Sequence, residues 1–189
     1  PFLLVHDDGN SQDTLQARIN GYLQLNGNKY PAQAIHRIDY ETSGLVLFCK
    51  HPFFQAYCDK NMEEHHIKKD YIALVQGHTN YKNKKIVSNI ARDRHNAKKM
   101  IIHPNGKESV SIFNTLKNYK DCSLIQVTIL TGRKHQIRVQ CASLNHPILN
   151  DSLYGGKRID NTGLLLQSHH IQFNDIDVIC PQEKRFIRK

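Results

Sequence analysis

Residues 110–145 read VSIFNTLKNYKDCSLIQVTILTGRKHQIRVQCASLN and contain two kinds of periodicity. Val110–Leu116 and Leu124–Leu130 are rich in β-branched and aromatic residues, several of them in alternation, which predicts two strands. Residues 134–145 then change to a helical period, with apolar residues at i, i+4 and i+7 from Ile137. Adjacent strands followed by a single helix favour an α+β protein over a doubly wound parallel sheet, which needs a helix after every strand.

Strand signals also dominate the rest of the chain. Leu45–Cys49 and Tyr71–Gln76 have the same composition as the two strands above. Strands joined by few helices predict an α+β fold with a mixed, largely antiparallel central sheet. The 189 residues contain no repeat and no Pro/Gly-rich linker, so we expect one domain over residues 1–189. The chain begins at Pro1, without a methionine and inside an apolar run, so its N-terminus is expected to be truncated.

Two helices are expected before the first long strand. One covers residues 12–24 and is capped by Asp13 or Thr14. The other begins at Pro52, a favourable residue for a first helical turn. The apolar residues at helical spacing in these two segments are Leu15, Ile19, Leu23, Phe54, Tyr57, Cys58 and Met62.

The charge balance is strongly basic. Lys+Arg 26 against Asp+Glu 17 gives a net charge of +9, with 12 histidines in addition. Such a surplus favours a polyanionic partner, most commonly a nucleic acid, although a basic surface kept for solubility is the alternative. The chain has no apolar run near the roughly 18 residues of a membrane span and no signal-peptide pattern, which excludes a membrane protein.

Cysteine and histidine usage points away from metal binding. The five cysteines show no C-x-x-C spacing, and four of them lie in apolar stretches, so most are predicted to be buried thiols in a reducing cytosol. The pairs His65-His66 and His169-His170 lack the H-E-x-x-H spacing of a metal site. His169 and His170 are expected at a strand start without a role. We therefore expect a cytoplasmic protein without a bound metal.

A polar segment precedes the predicted strand at Leu45–Cys49. Residues 34–44 read AIHRIDYETSG, and a carboxylate such as Asp39 on a loop held by a strand suits a catalytic acid, base or nucleophile. The alternative is a turn in which Asp39 and Thr42 cap their own backbone. A protein-kinase catalytic loop is excluded, because the spacing differs and no glycine-rich loop precedes it.

A basic segment lies between the second predicted strand and the last helix. Residues 131–138 read TGRKHQIR, and the amides of a helix start beside three cationic side chains suit a phosphate. Positive charge at a helix N-terminus opposes the macrodipole, so we expect an anion or a carboxylate nearby. A solvated basic turn is the alternative.

Residues 68–75 read KKDYIALV and lie between these two segments. Tyr71 enters a strand from a basic stretch, so its ring is placed to stack on a base while the lysines meet phosphate. A half-buried strand tyrosine explains the same pattern equally well.

Three segments in order match one set of signatures. Residues 36–45, HRIDYETSGL, correspond to H-R-L-D-x-x-T-S-G-L, and residues 69–77, KDYIALVQG, to K-x-Y-x-A-L-V-x-G. Residues 130–139, LTGRKHQIRV, correspond to a T-G-R-x-H-Q-I-R block that is followed by HPI at 146–148 and DSLYG at 151–155. By these motifs the chain resembles the RluA family of RNA pseudouridine synthases over nearly its whole length.

The resemblance implies a mixed sheet with an RNA cleft and a cofactor-free isomerisation of uridine to pseudouridine in rRNA or tRNA. Asp39 would be the catalytic aspartate, and Tyr71 would stack on the uracil and help remove the C5 proton. Arg138 would pair with Asp39 in a bidentate contact and keep it ionised. Arg37 would help displace the flipped base. The other residues placed at the RNA are His36, Lys69, Arg133, Lys134, His135 and Gln136.

The sequence departs from the family pattern at several positions, which puts details of the substrate in question rather than the reaction. They are Lys134 for Thr, Gln140 for His, Asn145 and Asn150 for Gly, and Gln167-Ser168 for His-Ala. The S4 RNA-binding domain that is frequent in the family is not visible, and nothing indicates an obligate dimer, so we expect a monomer.

Two other functions compete with the synthase. A non-catalytic RNA-binding or RNA-chaperone module would share the fold, but it has no reason to keep Asp39, Tyr71 and Arg138 together. A nucleoside hydrolase would need a second carboxylate in a motif, and none is evident.

Overall fold

A computed structural model describes residues 1–7 and 13–188. Within these ranges the helices are α1 (Leu15–Leu25), α2 (Gln55–Glu63) and α3 (Gln136–Ser143). Three short 3₁₀ turns cover Pro52–Phe54, Ser152–Tyr154 and Lys184–Phe186. The strands are β1 (Gln33–Ala34), β2 (Ser43–Gly44), β3 (Phe48–Cys49), β4 (Lys68–Gln76), β5 (Lys84–Arg92), β6 (Met100–Ile102), β7 (Lys107–Asn118), β8 (Cys122–Ile129), β9 (Leu166–Phe173) and β10 (Ile176–Ile179).

The long strands form one central sheet in the order β10-β9-β4-β8-β7-β5-β6. Neighbours along this order are antiparallel, and β2 adds a short parallel pairing to β9. β1 and β3 pair separately as a two-stranded sheet. The α+β class and the mixed, largely antiparallel sheet expected from the sequence are confirmed. The strand predicted at Val110–Leu116 lies inside β7, and the one predicted at Leu124–Leu130 corresponds to β8, which ends one residue earlier at Ile129.

β4 is buried along nearly its whole length, because it lies between β8 and β9 near the middle of the sheet. Its residues Ala73, Leu74 and Val75 are completely buried and belong to the main core with Phe113 and Ile125. A strand covered on both faces reads as a continuous apolar run. The same burial holds the polar start of β4 in a fixed position.

A bulge interrupts the pairing of β4 with β9. Asp70 is opposite His170, but Tyr71 is opposite Ser168, so the register shifts by one residue. The His170 ring lies between two carboxylates, 3.1 Å from Asp70 and 2.7 Å from Asp177. The expectation that His170 stands at a strand start without a role is therefore wrong. It lies within β9 and bridges the buried Asp70 to the neighbouring strand.

The strand expected over Leu45–Cys49 is replaced by two shorter pairings, β2 and β3. Gly44, at φ +106, lies directly on the backbone of Ser168, where a Cβ atom would be 2.1 Å from the carbonyl oxygen. The His36 ring accepts the amide of Leu47 at 3.1 Å in the place of a strand neighbour. Side-chain contacts and the close approach of β9 thus override the local strand propensity.

The first two helices agree with the sequence in their starting points and differ in their buried faces. Thr14 caps α1 by accepting the amide of Ala17, while residue 12 lies outside the described residues. Pro52 opens a 3₁₀ turn that leads into α2. Of the four residues expected on one face, Phe54 lies in the 3₁₀ turn before α2, and Phe54 and Tyr57 are about half exposed. α2 covers only a small second core, which Cys58 and Met62 reach.

The C-terminal segment packs back onto the domain. Phe186 is fully buried in the main core, and Arg185 donates to the Ser43 hydroxyl at 2.8 Å. A basic C-terminal run such as the one that begins at Lys184 is expected from its composition to be solvated, and this expectation is wrong for Arg185 and Phe186. The buried free thiols are confirmed: Cys49, Cys58, Cys122 and Cys141 are buried, and Cys180 is half-buried.

No helix in the described ranges is both long and apolar enough to cross a membrane.

Candidate active site

A cavity of about 760 Å³ opens where the loop before β2, the start of β4 and the segment between β8 and α3 meet. It collects side chains that are far apart in the chain. All the site residues expected from the sequence line it: His36, Arg37, Asp39, Lys69, Tyr71, Arg133, Lys134, His135, Gln136 and Arg138.

Asp39 lies on a tight turn whose hydrogen bond uses backbone atoms. The amide of Thr42 donates to the carbonyl oxygen of Asp39 at 2.9 Å. The chain thus turns here, but the side chains do not cap it as the alternative required: the Asp39 carboxylate faces Arg138, and Thr42 Oγ1 has no hydrogen-bond partner. Two residues later, Gly44 rests on β9. This contact anchors the turn to the central sheet.

Arg138 joins two carboxylates of different exposure. Its Nη1 donates to Asp39 at 3.2 Å, while Nε and Nη2 donate to the two oxygens of Asp151 at 2.8 Å each. The bidentate partner is therefore Asp151, and the expected bidentate contact with Asp39 is wrong. The Asp151 side chain is 1% exposed and that of Asp39 is 26% exposed. The buried pair holds the guanidinium in place, and the more open carboxylate remains available to a substrate.

Asp151 and Asp39 stabilise the positive charge of Arg138. Burial opposes the charged form, but the hydrogen bonds and negative charges of Asp151 and Asp39 outweigh it and raise the pKa of Arg138 above its ordinary value. Asp151 is the residue that the sequence reasoning missed as a site residue. The signal was present, because it opens the DSLYG run at 151–155 that follows the basic segment.

His135 has a left-handed backbone, with φ 55° and ψ 21°. α3 therefore begins at Gln136 rather than at residue 134. The His135 Nδ1 lies 2.8 Å from the Tyr154 hydroxyl, and that oxygen already accepts the amide of Met100. The hydroxyl proton is thus free to bond Nδ1, which favours the tautomer protonated at Nε2. Nε2 lies 3.8 Å from the Asp39 carboxylate.

The His135 ring is neutral at physiological pH. Burial lowers its pKa to about 4, the charge of Asp39 opposes this shift, and the charge of Arg138 adds to it. The carboxylate of Asp39 thus faces one permanent cation and one neutral ring.

The buried side chain of Gln136 links the basic segment to β7 through hydrogen bonds. Its Oε1 accepts the Thr131 hydroxyl at 2.8 Å and the Arg133 amide at 3.0 Å. Its Nε2 donates to the Val110 carbonyl and the Ser111 hydroxyl. The amide side chain is satisfied within the protein, so Gln136 fixes the basic segment to β7. Gln140, one turn later, donates to Ser88 and accepts from Ser111 in the same way.

Lys69 and Tyr71 project from the same face of β4, because side chains alternate along a strand. Burial lowers the pKa of Lys69 to about 8, and its Nζ lies 2.8 Å from the Met62 sulfur. Burial raises the pKa of Tyr71 to about 12, and the charge of Asp39 adds to this. At neutral pH the cavity therefore contains a charged lysine and a neutral phenol.

The remaining site residues lie at the entrance or behind it. Arg37, Arg133 and Lys134 are exposed. Arg133 also donates through Nε to the carbonyl oxygen of Glu108 at 2.9 Å. His36 is used structurally through its bond to Leu47, and burial lowers its pKa to about 4.

Across residues 1–7 and 13–188, no group of three His, Cys, Asp or Glu side chains is placed to hold a metal ion.

The chain is similar to known proteins in sequence and in fold. The family model described as RNA pseudouridylate synthase matches residues 2–143. The chain belongs to the RNA pseudouridylate synthase family, in its RluA-type group.

Two relatives illustrate the extent of the similarity. "Uncharacterized RNA pseudouridine synthase YhcT" of Bacillus subtilis (strain 168) is 38% identical over 178 residues, covering 93% of this chain and 57% of that protein. "Ribosomal large subunit pseudouridine synthase D" of Borreliella burgdorferi is 34% identical over 170 residues, covering 87% of this chain and 51% of that protein. The chain spans about half the length of the curated relatives it matches.

Two solved structures share the fold. "Human RNA Pseudouridylate Synthase Domain Containing 1" superposes with a TM-score of 0.77 at 24% identity, over 89% of this chain and 74% of that one. "Human RNA Pseudouridylate Synthase Domain Containing 4" superposes with a TM-score of 0.79 at 18% identity, over 98% and 84%.

Proposed function

We propose that this chain isomerises uridine to pseudouridine in RNA, with Asp39 as the catalytic carboxylate. The observation that carries the proposal is the position of Asp39. It lies in the cavity 3.2 Å from the guanidinium of Arg138, which Asp151 holds from behind. The family match supports the same reaction.

The isomerisation breaks the N1–C1′ bond of the nucleotide, turns the uracil and joins C5 to C1′. The proton at C5 leaves the base and N1 gains one, so no electrons are exchanged and no redox cofactor is consumed. Asp39 acts at the sugar, either by forming a covalent adduct or by removing the 2′ proton. Both routes need an ionised carboxylate, and the guanidinium of Arg138 donates a hydrogen bond to that carboxylate at 3.2 Å.

Tyr71 is proposed to stack on the uracil and to help remove the C5 proton. Its side chain lines the cavity and its phenol is neutral at neutral pH. In the proposal the ring offers an apolar face to the base, and the hydroxyl takes part in the transfer of the C5 proton.

The substrate is proposed to be rRNA or tRNA, bound by a monomeric single domain in the cytoplasm. A target uridine within a stack must be flipped out, at a cost of a few kcal/mol, and Arg37 at the entrance is the candidate to displace it. Phosphate contacts to the +9 surface offset this cost. The buried free thiols fit a reducing compartment.

The test is tritium release from RNA transcribed with 5-tritiated uridine. We expect wild type to release tritium and Asp39→Asn to release none while it binds RNA nearly as well. Asp175→Asn, at the exposed β9–β10 turn, is the matched control and should behave as wild type.

Two results would contradict the proposal. Turnover by Asp39→Asn would remove Asp39 as the catalyst. Absence of release by wild type on both rRNA and tRNA, with RNA binding retained, would favour the non-catalytic RNA-binding module.

A further inference from the structure

A second cavity of about 490 Å³ adjoins the catalytic one, between the end of β5, β6 and the turn before β7. The two cavities share Arg92, Gly132, Arg133 and Lys134. We call the second cavity the β5–β6 groove. The groove therefore adjoins the catalytic cavity along these four residues.

The ionisable residues that line the β5–β6 groove are all cationic: Arg92, Lys107, Arg133 and Lys134. None of them forms an ion pair with any carboxylate in the described part of the chain. Clustered like charges repel one another, so a groove of this kind favours an external anion. The cations are too many for one isolated contact and suit a chain of phosphates.

The wall of the groove is rigid, because the turn before β7 rests on β5. A Cβ atom at Gly106 would lie 2.6 Å from the backbone of Ile90, so only glycine allows this approach. Lys107 follows directly and pairs with Ile90 in the ladder between β5 and β7. The backbone of Lys107 is therefore held at a fixed position on the rim, and its exposed side chain extends from there.

The opposite end of the catalytic cavity differs in charge. It is formed by Met62, Glu63 and His65 around the end of α2. Lys69 also lines the cavity here, with its Nζ 2.8 Å from the Met62 sulfur. One cation beside the acidic Glu63 leaves this end without the surplus of positive charge that the β5–β6 groove has, so it is less favourable to phosphate. The charge distribution is thus one-sided with respect to Asp39.

We propose that the β5–β6 groove binds the phosphates of the single RNA strand that continues from the target uridine on one side. This inference rests on the proposed function, since it assumes that the uridine occupies the catalytic cavity. The strand leaves the cavity between Arg92 and Lys134 and passes Lys107. The other flank of the uridine receives no comparable contact.

The experiment measures binding of labelled oligonucleotides that contain a single uridine, with four cytidines on the 5′ side, on the 3′ side or on both. We expect a gain in affinity from only one of the two flanks. Lys107→Gln should reduce that gain about 3-fold or more and lower the salt slope by about 0.7, the value for one phosphate of a single strand.

The matched control is Lys85→Gln, at the far end of β5 and outside both cavities. It should leave the one-sided gain unchanged. Equal gains from both flanks, or a Lys107→Gln protein that behaves as Lys85→Gln does, would overturn the proposal.

Tritium release by the same proteins separates this inference from the proposed function. If only one flank raises the affinity but wild type releases no tritium, the proposed function is contradicted while the inference about the β5–β6 groove is supported. If wild type releases tritium and both flanks raise the affinity equally, only the inference about the β5–β6 groove is contradicted.

Discussion

Asp39 and Asp151 share one guanidinium but have different environments, and this difference gives them different roles. Asp151 is buried and takes both parallel hydrogen bonds of Arg138, a geometry that fixes the direction of the side chain. Asp39 takes one longer bond and keeps contact with the cavity. We therefore regard Asp151 as a positioning residue and Asp39 as the residue that meets the substrate.

Asp151→Asn removes the buried negative charge with little change in shape. Removing one partner of a buried pair leaves Arg138 without its principal counter-charge, so we expect the free energy of unfolding to fall by about 3 kcal/mol. Turnover should fall as well, because the guanidinium is no longer held toward Asp39. Urea unfolding and tritium release measure the two effects, and a variant with wild-type stability and turnover would contradict the role of Asp151.

Tyr71→Phe separates the ring of Tyr71 from its hydroxyl. The ring remains, so RNA affinity should stay within about 2-fold of wild type, because base stacking needs only the aromatic face. Turnover should fall by about 100-fold or more if the hydroxyl takes part in proton transfer, which is the usual size of that contribution. Tyr81→Phe, in the core, is the control for loss of a buried hydroxyl. Unchanged turnover in Tyr71→Phe would limit the residue to stacking.

Among the elements, β4 serves the site with one face and the fold with the other. Lys69 and Tyr71 face the cavity, and Asp70 between them points away. Asp70 accepts the Thr128 hydroxyl at 2.5 Å and contacts His170 at 3.1 Å. This polar network on the reverse face, next to the bulge, fixes the register of the strand. The register in turn places the lysine and the tyrosine beside Asp39.

Lys69→Met tests the conflict between stability and function on this strand. Lys69 is 6% exposed and packs on the Met62 sulfur, and its lowered pKa reflects the cost of burying its charge. A methionine of similar length avoids that cost, so we expect the free energy of unfolding to rise by about 1 kcal/mol. RNA affinity should fall, because a cation is lost from the cavity. A variant that is less stable than wild type would contradict this account.

The loop between α3 and β9 shows how an element tolerates unusual residues. Asn145 and Asn150 stand where the resemblance leads us to expect glycines, and both have positive φ, 62° and 69°. Asparagine is among the few residues that adopt this conformation readily. Asn150 also donates to Asp160 and to the carbonyl of Gly163. It thus closes the loop next to Asp151, and these departures do not disturb the site.

At the scale of the whole molecule, buried histidines make stability depend on pH. Burial lowers the pKa of His36 and His135 to about 4, from about 6.5 in the unfolded chain. Both rings take up protons on unfolding below pH 6.5, so stability is lost as the pH falls from 6.5 toward 4. The pKa of His170 is raised, first by its hydrogen bond to Asp177. The stability that His170 contributes is therefore lost as the pH rises through the raised pKa of the folded protein.

His36→Gln should reduce the loss of stability in acid. Glutamine keeps an acceptor for the Leu47 amide but does not titrate. Between pH 7 and pH 5 we expect the free energy of unfolding of the variant to fall by about 2 kcal/mol less than that of wild type. Urea unfolding at both pH values measures the difference, and His65→Gln, at an exposed position, is the control. Equal losses in wild type and His36→Gln would contradict the burial of a neutral ring.

The local patterns of the chain were sufficient for the fold class, and the ordered motifs predicted the residues that line the cavity but not the positioning role of Asp151. Alternation and helical spacing are properties of short segments, so the strands β4, β7 and β8 and the helix α3 were readable from the sequence. The ordered motifs around Asp39, Tyr71 and Arg138 predicted three residues that the structure brings to one cavity. β5 was missed, because its lysines and polar residues conceal the strand pattern.

What the local patterns left open depends on contacts between distant segments. The strand predicted over Leu45–Cys49 is replaced by the shorter β2 and β3 because the backbone of Ser168 approaches Gly44 closely. The bidentate pairing of Arg138 with Asp151 and the tautomer of His135 follow from the packing of α3 against the DSLYG run. Hydrogen-bond partners and burial are set by the assembled fold, and no short segment carries that information. The sequence by itself therefore predicted which residues line the site. Their hydrogen-bond partners and protonation states are decided by the tertiary packing around them.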